Sequence, residues 1–306
     1  MIQVNLIATL SGHQNPIFTV EASQKPRIIF TAGNDKGVVE WSLKTNSFIK
    51  VQFPVKTSVY ALHGSKSFPL LAAGERSGNI SIFNFIEQKV TNILQYHNKP
   101  VFDIKSSVLK KELLASSEDG TVSVWSMEHF KLLYSFKVSS QTVRVISLSP
   151  DEKLAAFGCK DNSIRIYNLE DYSLIHTLNE HTLPVTALEF SPDGKFLLSG
   201  SRDAQLKIWN TPDFSLLENI PAHIFTIYSI AFHPTKPYFA TASRDKSIKI
   251  WDSKEFKLRK IISLEKGFDA HRLSINKITW DPETEHLISV GDDKLVKIWE
   301  ISFEDD

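Results

Sequence analysis

An aromatic residue recurs every 42 residues along most of this 306-residue chain, and this period restricts the possible folds more than any other feature. Its positions are Trp41, Phe83, Trp125, Tyr167, Trp209 and Trp251, and Trp299 follows after a longer interval of 48 residues. The residues six positions before them are Asp35, Ser77, Asp119, Asp161, Asp203, Asp245 and Asp293. Repeats of this length are single supersecondary units that must stack on their neighbours to bury their apolar faces.

Residues 181–210 show what one repeat contains. Their apolar spacing predicts three short strands, at residues 185–190, 196–200 and 205–209. The sequence Ser-Pro-Asp-Gly at 191–194 is a turn signal, because proline presets φ and glycine tolerates left-handed backbone. Three antiparallel strands cannot bury both of their faces alone, so further copies must pack on either side.

The other repeats carry recognisable variants of this one. The positions that match His181 are His13, Val55, His97, Ser139, His223 and His271. The chain resembles the WD40 repeat family, although at the repeat positions typical of that family Trp-Asp survives only at 251–252 and Gly-His only at 12–13. This resemblance covers the whole chain. It predicts an all-β, seven-bladed propeller of four-stranded antiparallel blades, in a single domain of residues 1–306.

The last blade lacks an outer strand of its own. Outer strands are predicted at residues 48–53, 89–94, 131–136, 174–178, 216–220 and 258–262, and too few residues follow Trp299 for a seventh. Residues 4–10 align with 174–178, so we expect them to complete the last blade and to close the ring by hydrogen bonds. On this prediction the chain is a complete propeller with no appended domain.

The composition limits the classes of function. Because 35 basic residues balance 35 acidic ones, bulk phosphate binding and nucleic acid are not indicated. The single cysteine, Cys159, excludes an internal disulfide framework and ends an apolar strand, which predicts a buried thiol. With no signal peptide and no long apolar run, the chain is predicted to be cytoplasmic and not to enter a membrane.

Four blades repeat a set of histidine, hydroxyl, aspartate and tryptophan. The sets are His13, Thr31, Asp35 and Trp41; His181, Ser199, Asp203 and Trp209; His223, Thr241, Asp245 and Trp251; and His271, Ser289, Asp293 and Trp299. The resemblance implies that each set is a structural tetrad of hydrogen-bonded side chains. A catalytic nucleophile would occur once, so no catalytic residue is predicted here.

Blades 2, 3 and 4 depart from this pattern. Blade 2 has Val55 and Ser77, blade 3 has Ala115 at the hydroxyl position, and blade 4 has Ser139 and Phe157. We therefore expect blades 2 and 4 to depend more on apolar packing and to be less rigid than the others.

Motifs for other chemistry are missing from the sequence. It contains no H-E-x-x-H, no paired cysteines, no phosphate loop and no dinucleotide fingerprint. The prediction is a non-enzymatic protein without metal or cofactor. A propeller enzyme is the less favoured alternative.

In the family that the chain resembles, partners usually bind the face that carries the turns before the third strands. Here that face has a cation on four consecutive blades, at Lys160, Arg202, Arg244 and Arg272, which we call the basic arc. Arg76 of blade 2 occupies the same repeat position as Lys160, Arg202 and Arg244. Ile224 and Phe225 lie beside the arc, and Glu118 and Asp292 interrupt the ring of cations. Arginine donates two parallel hydrogen bonds to acidic groups, so the arc is predicted to bind an acidic or phosphorylated peptide. The alternative is that each cation pairs with a nearby turn carboxylate.

A second candidate site is the mouth of the central channel. Alternation along the inner strands is expected to direct five side chains there, namely Phe18, Tyr60, Phe102, Arg144 and Tyr228. The aromatic ones could hold an inserted cation by cation–π contact, or could simply fill the channel.

These observations favour a scaffold or adaptor that binds a protein or peptide, as part of a multiprotein complex. The alternative is a subunit of a nucleic-acid-processing (RNA or chromatin) or ubiquitin-ligase complex. An insertion at residues 263–269 accounts for the longer last interval and is equally consistent with a binding loop and a tolerated insertion.

Overall fold

A computed structural model of the chain describes residues 2–303, and these residues form seven four-stranded antiparallel sheets. The inner strands are β2 (Ile17–Ala22), β6 (Val59–Gly64), β10 (Val101–Ser107), β14 (Val143–Leu148), β18 (Val185–Phe190), β22 (Ile227–Phe232) and β26 (Ile275–Trp280). The second strands are β3 (Ile28–Gly33), β7 (Leu70–Glu75), β11 (Glu112–Ser117), β15 (Leu154–Cys159), β19 (Phe196–Ser201), β23 (Tyr238–Ser243) and β27 (Leu287–Gly291).

The third strands carry the periodic aromatic residues, and the fourth strands form the outer rim. The third strands are β4 (Gly37–Ser42), β8 (Asn79–Asn84), β12 (Thr121–Ser126), β16 (Ile164–Asn168), β20 (Gln205–Asn210), β24 (Ile248–Asp252) and β28 (Val296–Phe303). The outer strands are β5 (Ser47–Pro54), β9 (Lys89–Gln95), β13 (Leu132–Lys137), β17 (Leu174–Leu178), β21 (Leu216–Pro221), β25 (Leu258–Ile262) and β1 (Ile2–Leu10). The predicted seven-bladed propeller is confirmed. Met1 and residues 304–306 of the predicted domain lie outside the described residues.

The N-terminal strand closes the ring, as the sequence predicts. β1 pairs antiparallel with β28, from Ile2 opposite Phe303 to Leu10 opposite Val296. It begins two residues earlier than the predicted strand. The first and last parts of the chain therefore share one blade, and unfolding of either end must break backbone hydrogen bonds to the other.

The apolar core lies between the blades. The column residue Trp209 of blade 5 packs against Ile164, Ile166 and Leu178 of blade 4. Trp41 of blade 1 likewise packs against Ile298 of blade 7, so the column residues also seal the closure. Each blade buries its two faces only in contact with its neighbours, which is the physical reason for the ring.

The tight turns between second and third strands require left-handed backbone at one position. Asn162 and Ala204 adopt it with φ of 73° and 65°. In blades 2 and 3 the position is Gly78 and Gly120, and a Cβ at Gly78 would lie 2.2 Å from the carbonyl oxygen of His97. Only glycine fits there, because the turn approaches the neighbouring loop too closely for a side chain.

Every inner strand contains a β-bulge directly after its first residue. In blade 1, Ile17 pairs with Gly33 and Thr19 with Ala32, so Phe18 is left out of the pairing. The residues left out in the seven blades are Phe18, Tyr60, Phe102, Arg144, Thr186, Tyr228 and Asn276. A bulge re-aims its side chain, and all seven line the central channel. The bulge, in addition to strand alternation, sets their direction.

The insertion in the last interval is folded. It contains a 3₁₀ turn, Leu264–Lys266, which ends at Gly267 with φ of 83°. Phe268 packs against the core between blades 6 and 7. The buried Lys297 of β28 donates to the Asp269 carbonyl oxygen at 2.8 Å and to its carboxylate at 3.2 Å. The insertion is therefore anchored to the closing blade, and a role in binding stays a prediction.

Candidate partner-binding site

The four predicted tetrads are present as continuous hydrogen-bonded chains. In blade 5, His181 Nδ1 lies 2.9 Å from Asp203 Oδ2 and His181 Nε2 lies 2.8 Å from Ser199 Oγ. The indole N–H of Trp209 donates to the same Oγ at 2.9 Å. The corresponding distances in blades 1, 6 and 7 lie between 2.6 and 2.9 Å.

These tetrads contain the three residue types of a hydrolase triad, but all four of their hydroxyl-bearing residues are fully buried. Ser199 is fully buried, and its hydroxyl both bonds the imidazole and accepts from the indole. Burial alone would raise the pKa of Asp203, but hydrogen bonds from His181 and from two backbone amides outweigh it and lower the pKa to about 2. The carboxylate thus stays charged and locks the turn. The tetrads are structural.

Blade 3 builds the same network from a different residue. Its hydroxyl comes from Ser123 of β12, which lies 2.8 Å from His97 Nε2 and accepts from the Trp125 indole at 2.8 Å. Ser123 pairs directly across the sheet with Ala115, the residue at the expected hydroxyl position. The hydroxyl has therefore moved to the adjacent strand without breaking the network.

Blades 2 and 4 contain polar networks as well as aromatic packing. In blade 2, Ser81 donates to the buried carboxylate of Glu75 at 2.8 Å, and Phe53 stacks on Phe83 at 5.1 Å. In blade 4, Arg165 donates to Asp161 at 2.8 Å, and Ser139 donates to the same carboxylate at 2.7 Å. The expectation that these blades depend more on apolar packing than the others stays a prediction.

A single repeat position supplies all three replacements. Ser81, Ser123 and Arg165 each stand two residues before the column aromatic, and each pairs across the sheet with the expected hydroxyl position. A polar residue at this position, in the repeats that lack the tetrad hydroxyl, is the sequence signal that could have revealed them. Lower rigidity of blades 2 and 4 stays a prediction, which hydrogen exchange of β7 against β19 amides would measure.

The basic arc lies on the face that carries the second-to-third-strand turns, here called the turn face. Lys160, Arg202 and Arg244 each follow a second strand, and the backbone N–H of each donates to the loop that enters the inner strand, at 2.8, 2.9 and 3.0 Å. Arg272 lies in that loop in blade 7, where its N–H donates to Asp293 at 3.0 Å. The four cations thus occupy rigid backbone on consecutive blades. Arg76 is separated from them by Glu118 of blade 3 and by blade 1.

The side chains of the basic arc are exposed and unpaired. Within residues 2–303, none of the four, nor Arg76, makes a side-chain hydrogen bond or an ion pair. The turn carboxylates beside Arg202, Arg244 and Arg272 bond the tetrad histidines, as Asp245 bonds His223 at 2.8 Å. The turn carboxylate beside Lys160 is Asp161, which accepts from Arg165 and Ser139. The alternative that the sequence left open, in which each cation pairs with a nearby turn carboxylate, is therefore not found among residues 2–303.

Apolar side chains alternate with these cations. Leu183, Phe225 and Leu273 occupy the same loop position in blades 5, 6 and 7 and are 43%, 53% and 49% exposed. Ile224, next to Phe225, is 78% exposed. Sequence reasoning named Ile224 and Phe225 but missed Leu183 and Leu273, although their equivalent spacing in the repeats was available as a signal.

Hydroxyl groups and an arginine hold this apolar row in place. Ser201 donates to the Leu183 carbonyl at 2.8 Å and Ser243 to the Phe225 carbonyl at 3.2 Å. The Arg244 guanidinium lies 5.8 Å from the centre of the Phe225 ring. Blades 5–7 therefore present an ordered surface of large apolar groups beside unpaired positive charges.

Four of the five residues that were predicted at the channel mouth form a stack of rings or lie next to it. Phe18 stacks on Tyr60 at 5.1 Å, and Tyr60 contacts Phe102 at 5.2 Å. The Arg144 guanidinium lies 4.3 Å above the Phe102 ring. Tyr228 lines the same cavity. This geometry is less favourable for the hypothesis that the rings hold an inserted cation, because Arg144 already covers Phe102, the last ring of the stack.

Further inside, the channel carries charged groups of both signs. The lining includes Glu21, Asp103, Glu189, Lys105 and Lys277. Burial raises the pKa of Glu21 and of Glu189. Burial of Lys105 favours its neutral form and would lower its pKa, but the surrounding carboxylates outweigh this effect and raise the pKa. The channel is thus polar at its centre and aromatic at its mouth.

Six segments match the family described as WD domain, G-beta repeat, at residues 4–42, 88–126, 130–168, 172–210, 214–252 and 262–300. Together they span most of the chain. The chain belongs to the WD40 repeat family. Residues 43–87, which contain most of the divergent blade 2, are outside the matched segments. Comparison with curated proteins gives no match.

Membership of the WD40 family supports an interaction role, since these propellers typically mediate protein binding and are generally non-catalytic scaffolds. Residues 2–303 include no group of histidine, cysteine and acidic side chains arranged to hold a metal ion. No helix in that part of the chain is long and apolar enough to cross a membrane.

Proposed function

We propose that this WD40 protein is a non-enzymatic scaffold whose turn face, along blades 4–7, binds an acidic or phosphorylated segment of a partner protein. The observation that carries the proposal is the row of unpaired cations beside exposed apolar groups, such as Arg244 beside Phe225. Unpaired arginines donate strongly to carboxylates and phosphates, and large apolar side chains supply buried area in an interface.

The partner segment should combine both properties. Acidic groups would meet Arg202, Arg244 and Arg272, while bulky apolar side chains would cover Leu183 and Phe225. An arginine that is truncated at the centre of such an interface commonly weakens binding by about 2 kcal/mol or more. We further propose that the protein acts in the cytoplasm within a multiprotein complex, which fractionation and size-exclusion chromatography of native extracts would test.

The test uses charge reversal with a matched control. One variant carries Arg202→Glu, Arg244→Glu and Arg272→Glu; the control carries Lys44→Glu, Lys131→Glu and Lys254→Glu. The control residues are exposed, and they lie in or beside the turns between third and fourth strands, on the opposite face. Both variants change net charge equally, so bulk electrostatics is held constant. Thermal melts establish that both are folded.

Peptides displayed at random are selected against wild type, and partners from the native lysate are captured in parallel. We expect enrichment of acidic peptides with bulky apolar residues, and loss of both peptides and partners in the turn-face variant alone. Equal binding to all three proteins would contradict the proposal. Nucleic-acid binding with a steep salt dependence would instead favour the alternative of a nucleic-acid-processing subunit.

A further inference from the structure

The central channel contains an arginine whose side chain has no hydrogen-bond or ion-pair partner among residues 2–303. Arg144 occupies the bulge of β14 and lines a cavity of about 300 Å³ at the channel mouth. Within residues 2–303, its guanidinium has no hydrogen-bond acceptor and no carboxylate within 4 Å, and it lies 4.3 Å from the centre of the Phe102 ring. A guanidinium has five N–H donors, and partly buried arginines are normally paired.

Other donors converge on the same cavity. The side chains of Tyr60 and Tyr228 line it together with Arg144. Neither hydroxyl has a hydrogen-bond partner in the described part of the chain. Burial lowers the pKa of Arg144, an effect that an anion at this point would oppose.

We infer that the channel mouth is a binding site for a carboxylate on a small apolar body, held by Arg144 with Tyr60 and Tyr228. The aromatic wall of Phe18 and Phe102 would contact the apolar part. The cavity volume is at the lower end of the range for small-molecule sites, which fits a ligand of this size. The site goes beyond the proposed function, because it involves neither the basic arc nor the apolar row.

The surrounding charges favour a single negative charge over a divalent phosphate. The Asp292 carboxylate lines the cavity and accepts a hydrogen bond from Asn276 at 2.7 Å. Deeper in the channel, the three carboxylates of Glu21, Asp103 and Glu189 face the two lysines Lys105 and Lys277. One arginine can neutralise a monoanion here, whereas a second negative charge would face these carboxylates.

Benzoate is a suitable probe, with benzamide as its neutral counterpart and inorganic phosphate as the divalent one. Titration is followed by calorimetry and by the side-chain N–H signals of ¹⁵N-arginine-labelled protein. We expect saturable binding of benzoate, weaker binding of phosphate and none of benzamide. Arg144→Gln should weaken benzoate binding about tenfold to a hundredfold, since it removes a charge-assisted hydrogen bond.

Two further variants keep the test decisive if Arg144→Gln is poorly folded. Tyr228→Phe keeps the ring and removes only the hydroxyl, so we expect benzoate to bind severalfold more weakly. Lys254→Gln, which removes one positive charge on the opposite face, should leave benzoate binding unchanged. Absence of saturable binding, or equal binding to wild type and the two channel variants, would overturn the inference. Such a failure would leave the proposed function untouched.

A second pair of probes identifies the natural source of the carboxylate. A capped Gly-Glu-Gly peptide is compared with capped Gly-Gln-Gly in competition with benzoate. Displacement of benzoate by the glutamyl peptide alone would show that a partner's side chain enters the channel. Binding of benzoate without displacement by either peptide would identify a free organic acid as the ligand.

Discussion

At the residue scale, the molecule keeps a buried hydrogen-bonding chain even where its usual members are absent. In blade 3, Ser123 accepts from Trp125 and bonds His97, although it lies on a different strand from the hydroxyls of the complete tetrads. The requirement is thus a hydroxyl at one point in space. Either the second or the third strand can supply it, because positions such as Ala115 and Ser123 lie directly opposite each other in the sheet.

Replacing Ser123 by alanine should therefore destabilise the protein by about 1–3 kcal/mol, since two buried polar groups lose their partner. Ser116 provides a matched control, because its buried hydroxyl has no hydrogen-bond partner among residues 2–303 and Ser116→Ala should be nearly neutral. Ser123→Ala combined with Ala115→Ser should recover most of the loss. Urea denaturation of the four proteins measures this. Equal destabilisation by the two single alanine variants would show that the network contributes nothing.

The residue scale also shows where sequence reasoning reached its limit. The tetrads of His13, His181, His223 and His271 follow from a fixed period, which a sequence displays directly. The replacement by Ser123 depends on which residues pair across a sheet, and that register appears only in three dimensions. The unpaired state of Arg144 depends in the same way on the bulge of β14 and on what surrounds the channel.

At the element scale, the turns between second and third strands depend on charged aspartates. Asp203 accepts hydrogen bonds from His181 and from the backbone amides of Thr182 and Gln205. Its pKa of about 2 lies below the ordinary value of 3.8, despite the opposing effect of burial. Its contribution to stability is therefore complete above pH 4 and is lost as the pH falls through 2.

Asp203→Asn should consequently cost most stability at neutral pH and least in acid. The difference in unfolding free energy between wild type and Asp203→Asn should shrink by roughly 2 kcal/mol between pH 5 and pH 2. Urea denaturation across this range is the measurement. Glu265→Gln is the control, because Glu265 is exposed and makes no hydrogen bond within the described residues. A difference that stays constant with pH would show that Asp203 has an ordinary pKa.

At the scale of the whole molecule, the ring is closed by a blade that β1 and β28 share. The sequence predicted this closure, because residues 4–10 align with the outer strands of the other blades. The insertion at residues 263–269 was located equally well, but its fold was not predicted. The bond from Lys297 reaches Asp269 in this insertion, a segment that the other repeats lack, so the period of the repeats could not predict the contact.

A disulfide across the closing strands would test how far this blade limits stability. Asn5 and Glu300 are directly paired in β1 and β28, and their side chains already meet at 3.2 Å, so Asn5→Cys and Glu300→Cys should oxidise readily. The native Cys159 should not interfere, because it is buried and burial raises its pKa to about 11. The bridge would close almost the entire chain into one loop. We expect the oxidised protein to be about 2–4 kcal/mol more stable than its reduced form.

Denaturation with and without reductant compares the same variant with itself, so the lost Asn5–Glu300 hydrogen bond cancels. If the closing blade is where unfolding begins, the oxidised form should also protect β1 amides from hydrogen exchange more than those of β20, which is remote from the closure. Identical unfolding of the two forms would place the first unfolding step elsewhere in the ring. In that case a blade without a complete tetrad, such as blade 2, becomes the place to look for it, since its third strand bonds Glu75 rather than a histidine.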